Sequence, residues 1–279
     1  MGYAVRDAAR AAAAFRAMHE HPPLVLPNAW DAASALVIES AGASAIASTS
    51  AGIAWACGAP DGEWIGRDRM WQALTEIVAS VRIPVTADIE SGYAGTLDQL
   101  DMAVSALLGI GIAGINIEDS LVTDRTLRDP SDQAARIRGV RATADRLGVR
   151  LWINARTDTY LTLGTPQEHL RATMARAELY AAAGADSLFV PGVVDIEIIR
   201  ELTTGPLPVN VMVGPGAPDV GALVEAGVVR VSVGPSIAQS AYGVVARAAR
   251  ELLRDGTYTT MTQGFDDVQL NQLVERGAS

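Results

Sequence analysis

The chain has 279 residues, is 49% hydrophobic and only 19% charged, and carries a formal net charge of -10. That size and apolar content suit one large barrel-type domain or two small ones, and the negative balance argues against nucleic acid as a partner. All 22 basic side chains are arginine, so Schiff-base chemistry and lysine-held pyridoxal phosphate are excluded, since both need a lysine amine.

In chain order, the alanine-rich stretch from Ala8 to Phe15, interrupted by Arg10 and followed by His19, Glu20 and His21, predicts a helix and not a signal peptide. His19, His21 and His169 read as surface residues. A first strand over 24–27 leads to Asn28 and Asp31. A second over 45–48 follows Ala41-Gly42 and runs into Ser48-Thr49-Ser50-Ala51-Gly52, where small residues and hydroxyls let backbone N–H groups approach an anion, or simply form a turn. The single cysteine, Cys57, excludes an intrachain disulfide, fits a reducing compartment and reads as a small buried filler. Pro60-Asp61-Gly62 is a turn signature.

From there helices and short apolar runs alternate. Helices are expected over 67–81, 96–109, 131–147, 166–183, 194–202 and 217–226, and strands over 84–88, 114–117, 151–154, 187–190, 208–212 and 229–232. Several helices end at a glycine, which takes positive φ at little cost. The apolar runs are too short for helices and lack polar alternation, as expected of strands buried on both faces. This rhythm predicts an α/β fold of the (β/α)8 TIM-barrel type. A doubly wound open sheet is the alternative, but no Gly-x-Gly-x-x-Gly opens a helix after the first strand. Residues 236–279 form a C-terminal helical extension, with helices near 236–254 and 266–276, and no linker rich in Pro, Gly or Ser divides 1–279 into two domains. No apolar run reaches the ~18 residues of a membrane-spanning helix, so a soluble cytoplasmic protein is expected.

In such barrels the site lies at the carboxyl ends of the strands. Polar residues collect there: Asp88 and Glu90, Glu118 and Asp119, then Asn154 and Arg156, with Asn210 inside the seventh strand. Asp88 and Glu90 have the i, i+2 spacing of one strand face. Carboxylates brought to ~4 Å at an effective dielectric of ~20 repel by about 4 kcal/mol per pair. A hard cation with oxygen ligands relieves this, and with no His or Cys nearby magnesium or manganese is favoured over zinc. Arg156 has the fork geometry that grips a carboxylate, and could equally form an ion pair with Asp158 or Glu118.

Asp88-x-Glu90-Ser-Gly, Ile117-Glu118-Asp119, Asn154-Ala-Arg156-Thr-Asp158 and the upstream Pro60-Asp61 resemble the signature of the isocitrate lyase/phosphoenolpyruvate mutase superfamily, with similarity from about Leu26 to Ser240. The resemblance implies Asp88 as direct ligand of Mg2+ (or Mn2+) and Glu90, Glu118 and Asp61 as holders of its waters. It implies Arg156 as the carboxylate-binding group, backbone around Ser50 and Ala51 for the α-oxo acid end, and a homotetramer or dimer that can exchange the C-terminal helix. Arg156, Asp61 and Glu118 are thus the catalytic candidates, and Ser50, Ala51, Arg156 and Asn210 the substrate-binding ones. The loop after the fourth strand, Ser120 to Asp129, lacks the Cys, Lys and His that isocitrate, methylisocitrate and phosphonopyruvate enzymes carry there. Val190-Pro191-Gly192 stands where relatives place Glu or His. What remains expected is a magnesium-dependent lyase that cleaves or decarboxylates a small α-oxo or α-hydroxy carboxylate through an enolate-type intermediate. Loop 120–130, with Arg125 and Arg128, would gate the site, and Arg125 or Tyr93 would donate a proton. The alternatives are P–C bond chemistry on a phosphonopyruvate-like substrate, and a non-catalytic barrel that binds a metabolite.

Overall fold

The structure, a computed structural model, describes residues 2–122 and 126–277. Its elements run α1 (Gly2–Met18), β1 (Leu24–Leu26), β2 (Asn28–Ala29), α2 (Ala32–Ser40), β3 (Ile46–Ser48), α3 (Ser50–Ala56), α4 (Arg67–Ser80), β4 (Val85–Asp88), α5 (Leu97–Ile110) and β5 (Gly114–Glu118). They continue with α6 (Pro130–Arg146), β6 (Trp152–Arg156), α7 (Pro166–Ala182), β7 (Ser187–Val190), α8 (Ile196–Leu202), β8 (Val209–Met212), α9 (Val220–Glu225), β9 (Arg230–Ser232), α10 (Ser236–Asp255) and α11 (Asp267–Gly277). Among the described residues the sheet has nine strands, ordered β1-β9-β8-β7-β6-β5-β4-β3-β2, and every pairing is parallel.

The ninth strand comes from a split in the first predicted one. Pro27 separates β1, which pairs with β9, from β2, which pairs with β3. Proline has no N–H for a ladder, although its carbonyl still accepts from the Ala47 N–H at 3.2 Å. The two halves close the ring, so the TIM barrel is present with eight strand positions. Local chemistry sets the helix starts. Asp129 caps α6 ahead of Pro130, and Thr165 and Glu168 form a capping box around Pro166. One segment differs from its expectation: Ser48 to Gly52, expected as an anion-approaching stretch or a turn, leads into helix α3 over Ser50–Ala56, capped by Thr49.

Helix α1 seals the amino-terminal mouth of the barrel. Phe15 is fully buried against Leu24, Leu26, Ala45, Ala47, Ala113 and Trp152. Gly114 makes room for it, because a Cβ there would lie 3.0 Å from Thr86 Oγ1 and 3.1 Å from Phe15 Cε1. His19 is not a surface residue. Its ring stacks on Trp152 at 3.6 Å between centroids, meets Phe15 edge-on, and takes a 2.9 Å hydrogen bond with the Phe15 carbonyl through Nδ1. Burial, helped by Arg230 and Arg16 and opposed by the Phe15 carbonyl and by Asp186, lowers its pKa to about 4.

Neutral His19 is therefore the folded form, while the unfolded residue titrates near ~6.5. Its stabilising contribution is complete above that pH and is lost as pH falls towards about 4. Between pH ~7 and ~5.5 the wild type should lose about 1 kcal/mol of unfolding free energy that His19→Phe retains. Urea denaturation of both proteins at the two pH values checks this, and parallel losses would remove His19 as the source.

The carboxyl-terminal extension is apolar on its outside. On α10 only Ala238 is buried, and Tyr242, Val245 and Leu253 stand exposed. Helix α11 packs on α2 and α4 of its own chain. Val25, on the outer face of β1, is 43% exposed and borders a cavity of about 740 Å³ shared with Ile38 and Ile237. No helix among the described residues is long and apolar enough to cross a membrane.

Candidate active site

The strand registers deliver the motif residues to one end of the barrel. Asp88 lies opposite Asn116, Asn116 opposite Asn154, and Glu118 opposite Arg156. A second cavity, of about 110 Å³, opens at these carboxyl ends, and Ser50, Asp61, Glu90, Glu118, Arg156 and Asp158 make its polar wall. Leu121, Val122 and Leu161 also line it, beside Ser120 and Thr162.

Asp88 lies under the rim and is 8% exposed. Ser50 fixes its Oδ2 twice, through the hydroxyl at 2.8 Å and the backbone N–H at 3.3 Å, and the Ser48 hydroxyl accepts from the Asp88 N–H at 2.9 Å. The other oxygen, Oδ1, is buried with no hydrogen-bond partner. The Ser50 hydroxyl also lies 3.4 Å from Asp61 Oδ1. Ser50 thus serves the carboxylates, and its N–H points at Asp88. Ala51 is buried in the first turn of α3.

Glu90 reaches the cavity by a route the i, i+2 spacing does not describe. Strand β4 ends at Asp88, and Glu90 takes a left-handed backbone with φ 52°. Glu63 and Tyr93 share that strain, with φ 64° and 51°; for non-glycine residues it costs roughly 1–3 kcal/mol each. Surrounding bonds hold the segment in place. Glu63 Oε1 accepts from the Ser91 hydroxyl at 2.7 Å and the Tyr93 N–H at 3.0 Å. Arg136 Nη2 donates to the Ser91 and Ala94 carbonyls at 2.6 and 3.1 Å. The Tyr93 hydroxyl donates to Glu90 Oε1 at 2.6 Å. Burial raises the Glu90 pKa to about 8 against the Tyr93 hydrogen bond, and the charges of Asp61, Asp88 and Glu63 push the same way.

Arg156 is clamped rather than free. Nε and Nη2 donate to the two oxygens of Asp158 at 2.6 and 3.0 Å, and Nη1 lies 2.8 Å from Glu118 Oε2. Burial works against its charge, but Glu118, Asp158 and Asp88 more than offset this and hold the guanidinium protonated. Burial also raises the Glu118 carboxyl well above its usual range, with Arg156 opposing and Asp158, Asp88 and Glu90 adding to it. Both partners foreseen for Arg156 are therefore engaged at once, and N–H bonds on Nη1 and Nη2 remain for a ligand. The Ser120 hydroxyl adds a 2.6 Å bond to Asp158.

Other expectations need correction. Asn210 is fully buried inside the barrel. Its Oδ1 accepts from Asn154, and its Nδ2 donates to the Val211 and Arg230 carbonyls and to Ser232 Oγ. Both ends of its amide are occupied, and it is not among the residues that line the cavity. Arg128 does not line the cavity either. It sits at the base of a small hairpin, where its N–H reaches the Asp119 carbonyl at 2.7 Å and its own carbonyl accepts from Arg176. Arg125 lies outside the described residues. Asp119, one residue from Glu118, is a structural group with no exposure, tied to Arg176, Tyr180 and the Asp158 N–H. Ser120, Leu121 and Val122 belong to the expected gating loop, whereas Glu63, Leu161 and, on α6, Arg136 are not singled out by the sequence, because no local pattern marks their contacts.

Among the described residues no three His, Cys, Asp or Glu side chains are arranged to enclose a metal ion directly. What the structure offers a cation is one oriented, unpartnered oxygen, Asp88 Oδ1, within a ring of crowded carboxylates. That donor set fits a hard ion held by one direct ligand, with the remaining contacts made through its own water.

The sequence model of the phosphoenolpyruvate phosphomutase family matches residues 15–253. A crystal structure from Burkholderia cenocepacia J2315, provisionally described as a phosphonomutase, is 42% identical with a TM-score of 0.83, covering 86% of this chain and 99% of that one. Oxaloacetate decarboxylase 1 of Pseudomonas fluorescens is 30% identical over 205 residues, 71% of this chain and 67% of that protein. The crystal structure of a 2,3-dimethylmalate lyase is 27% identical with a TM-score of 0.82, covering 94% of each chain.

Proposed function

The chain belongs to the phosphoenolpyruvate phosphomutase family, within the isocitrate lyase/phosphoenolpyruvate mutase superfamily, and from that premise we propose that it is a magnesium-dependent carbon–carbon lyase acting on a small 2-oxo or 2-hydroxy carboxylate. The observation that carries this reading is the mixed lining of the cavity: carboxylates and one guanidinium together with Leu121, Val122 and Leu161. Among the described residues Arg156 is the one guanidinium lining the cavity, which suits a substrate with few negative charges better than a tricarboxylate. A short acid with an alkyl substituent meets both charged and apolar lining residues. Relatives that cleave or decarboxylate such acids, the oxaloacetate decarboxylase and the dimethylmalate lyase, support the same class.

Asp88 would ligate Mg2+, or Mn2+, with Glu90, Glu118 and Asp61 around its waters. When bound, the ion supplies Lewis-acid stabilisation of the negative charge that bond cleavage leaves on the retained fragment. Arg156, held in orientation by Asp158 and Glu118, grips the substrate carboxylate through its remaining N–H bonds. Leu121 and Val122 add apolar lining that excludes water from the bound substrate. The Tyr93 hydroxyl, 2.6 Å from Glu90 Oε1, places a proton at the cavity edge.

Incubating the Mg2+-loaded protein with oxaloacetate, 2,3-dialkylmalates and phosphonopyruvate in parallel, with product identification by NMR, tests the class. Release of pyruvate or a 2-oxo acid from the first two is expected. Turnover of phosphonopyruvate alone would replace the reading with P–C chemistry, and saturable binding without turnover of any of them would leave a metabolite-binding barrel.

The chain, taken as one barrel unit over 1–279, would work in the cytoplasm as a homo-oligomer. The exposed apolar face of α10 and the uncovered outer side of β1 support the self-association. Val245→Glu combined with Leu253→Glu should lower the mass measured by light scattering to that of a smaller assembly. An unchanged mass would place the interface elsewhere.

A further inference from the structure

Arg230 is used by none of the roles above. It opens β9, is fully buried, and extends into the barrel, with its guanidinium carbon 5.6 Å from the centroid of the Phe15 ring. Nη2 donates to Asn116 Oδ1 at 3.2 Å, and that oxygen also accepts from Asn154 Nδ2 at 2.8 Å. Asn116 is the register partner of Asp88. Nε and Nη1 have no hydrogen-bond partner, and no carboxylate forms an ion pair with Arg230 among the described residues. A buried guanidinium in this condition is costly, and an apolar side chain of similar volume would fill the space over Phe15 without that cost.

We propose that Arg230 is an internal counter-charge to the acidic rim, holding the carboxylates of the metal-free protein together and weakening the rim's grip on a divalent cation. The inference rests on the reading of Asp88 as the cation's ligand. Asp61, Asp88, Glu90 and Glu118 face one another at the rim, and Arg156 is already shared between Glu118 and Asp158. The positive charge below them reaches Asp88 through the interior, where salt screens little. Burial lowers the pKa of Arg230 to about 9 with Asp88 opposing, so the group stays charged at neutral pH and feels that carboxylate. A cation arriving at Asp88 is repelled by the same charge. The outcome is a site that survives without its metal and binds it with moderate affinity.

The test is calorimetric titration of metal-free wild type, Arg230→Met, Arg230→Gln and Arg230→Lys with Mg2+ and with Mn2+, plus thermal unfolding of each with and without saturating Mg2+. Both neutral variants should bind either ion about tenfold tighter or more. They should melt lower than wild type without metal and gain more from Mg2+, while Arg230→Lys stays near wild type. Equal or weaker binding in the neutral variants overturns the proposal, and so does a lysine variant that behaves like the methionine one. Neutral variants that fail to fold even in Mg2+ overturn it too, because the bound ion should then replace the missing charge. A wild type that takes up neither ion overturns the Asp88 reading beneath it, whereas unchanged variants of a metal-binding wild type overturn only the counter-charge.

Discussion

Asp88→Asn should abolish divalent-cation uptake and turnover together, with the fold intact. The amide oxygen can still accept from the Ser50 hydroxyl, so the local hydrogen bond survives, but the formal charge that would hold the ion is gone. Lewis-acid stabilisation is worth several kcal/mol in a transition state, and each 1.36 kcal/mol is tenfold in rate. A loss of at least about three orders of magnitude in kcat is therefore expected. Unfolding free energy without metal should change little, because the substitution removes the repulsion on Glu90 and the attraction to Arg156 and Arg230 together. Calorimetry with Mg2+, single-turnover assays and urea denaturation read the three outcomes separately. Retained turnover without cation uptake would sink the role given to Asp88.

Arg156→Gln should damage both stability and binding, and the two effects can be separated. The guanidinium is the partner of two buried carboxylates, Asp158 and Glu118. Removing one member of such a buried set leaves uncompensated charge and costs about 3–5 kcal/mol. Urea denaturation of the ligand-free protein measures that part. The binding part appears in Arg156→Lys, which keeps the charge and loses the planar fork. Its unfolding free energy should fall by less than that of the glutamine variant, while KM for the carboxylate substrate rises about 10-fold to 100-fold, the range of one lost charge-assisted hydrogen bond pair. A lysine variant with wild-type KM would confine Arg156 to the ion-pair network.

The residues that were legible beforehand share one property: their type and spacing carry a local rule. Glycines after helices, apolar runs of four or five residues and acidic residues at strand ends each follow from backbone conformation or burial on a short stretch of chain. The strand ends proved longer than expected, since Glu118 and Arg156 still pair across the ladder. Glu90 shows the limit of such rules. Strand periodicity pointed it at the site, yet it arrives there through a left-handed backbone that Glu63, Arg136 and Tyr93 support from other segments. Asn210 shows it from the other side, because a polar residue in a strand can face a neighbouring amide as readily as a ligand.

By itself, the sequence determined the alternation of helix and strand, the barrel that follows from it, and the gathering of acidic groups and one arginine at a single rim, because parallel strands of similar length must end together. It determined too that no lysine chemistry is available. Only the tertiary structure decided how those groups are spent: Arg156 shared between two carboxylates, Ser50 turned onto Asp88, Arg128 drawn into a hairpin base, His19 packed beneath the barrel and Arg230 enclosed within it. These are contacts between residues far apart in the chain. Their energies depend on burial and on which neighbour stands within about 3 Å, and no local pattern encodes either.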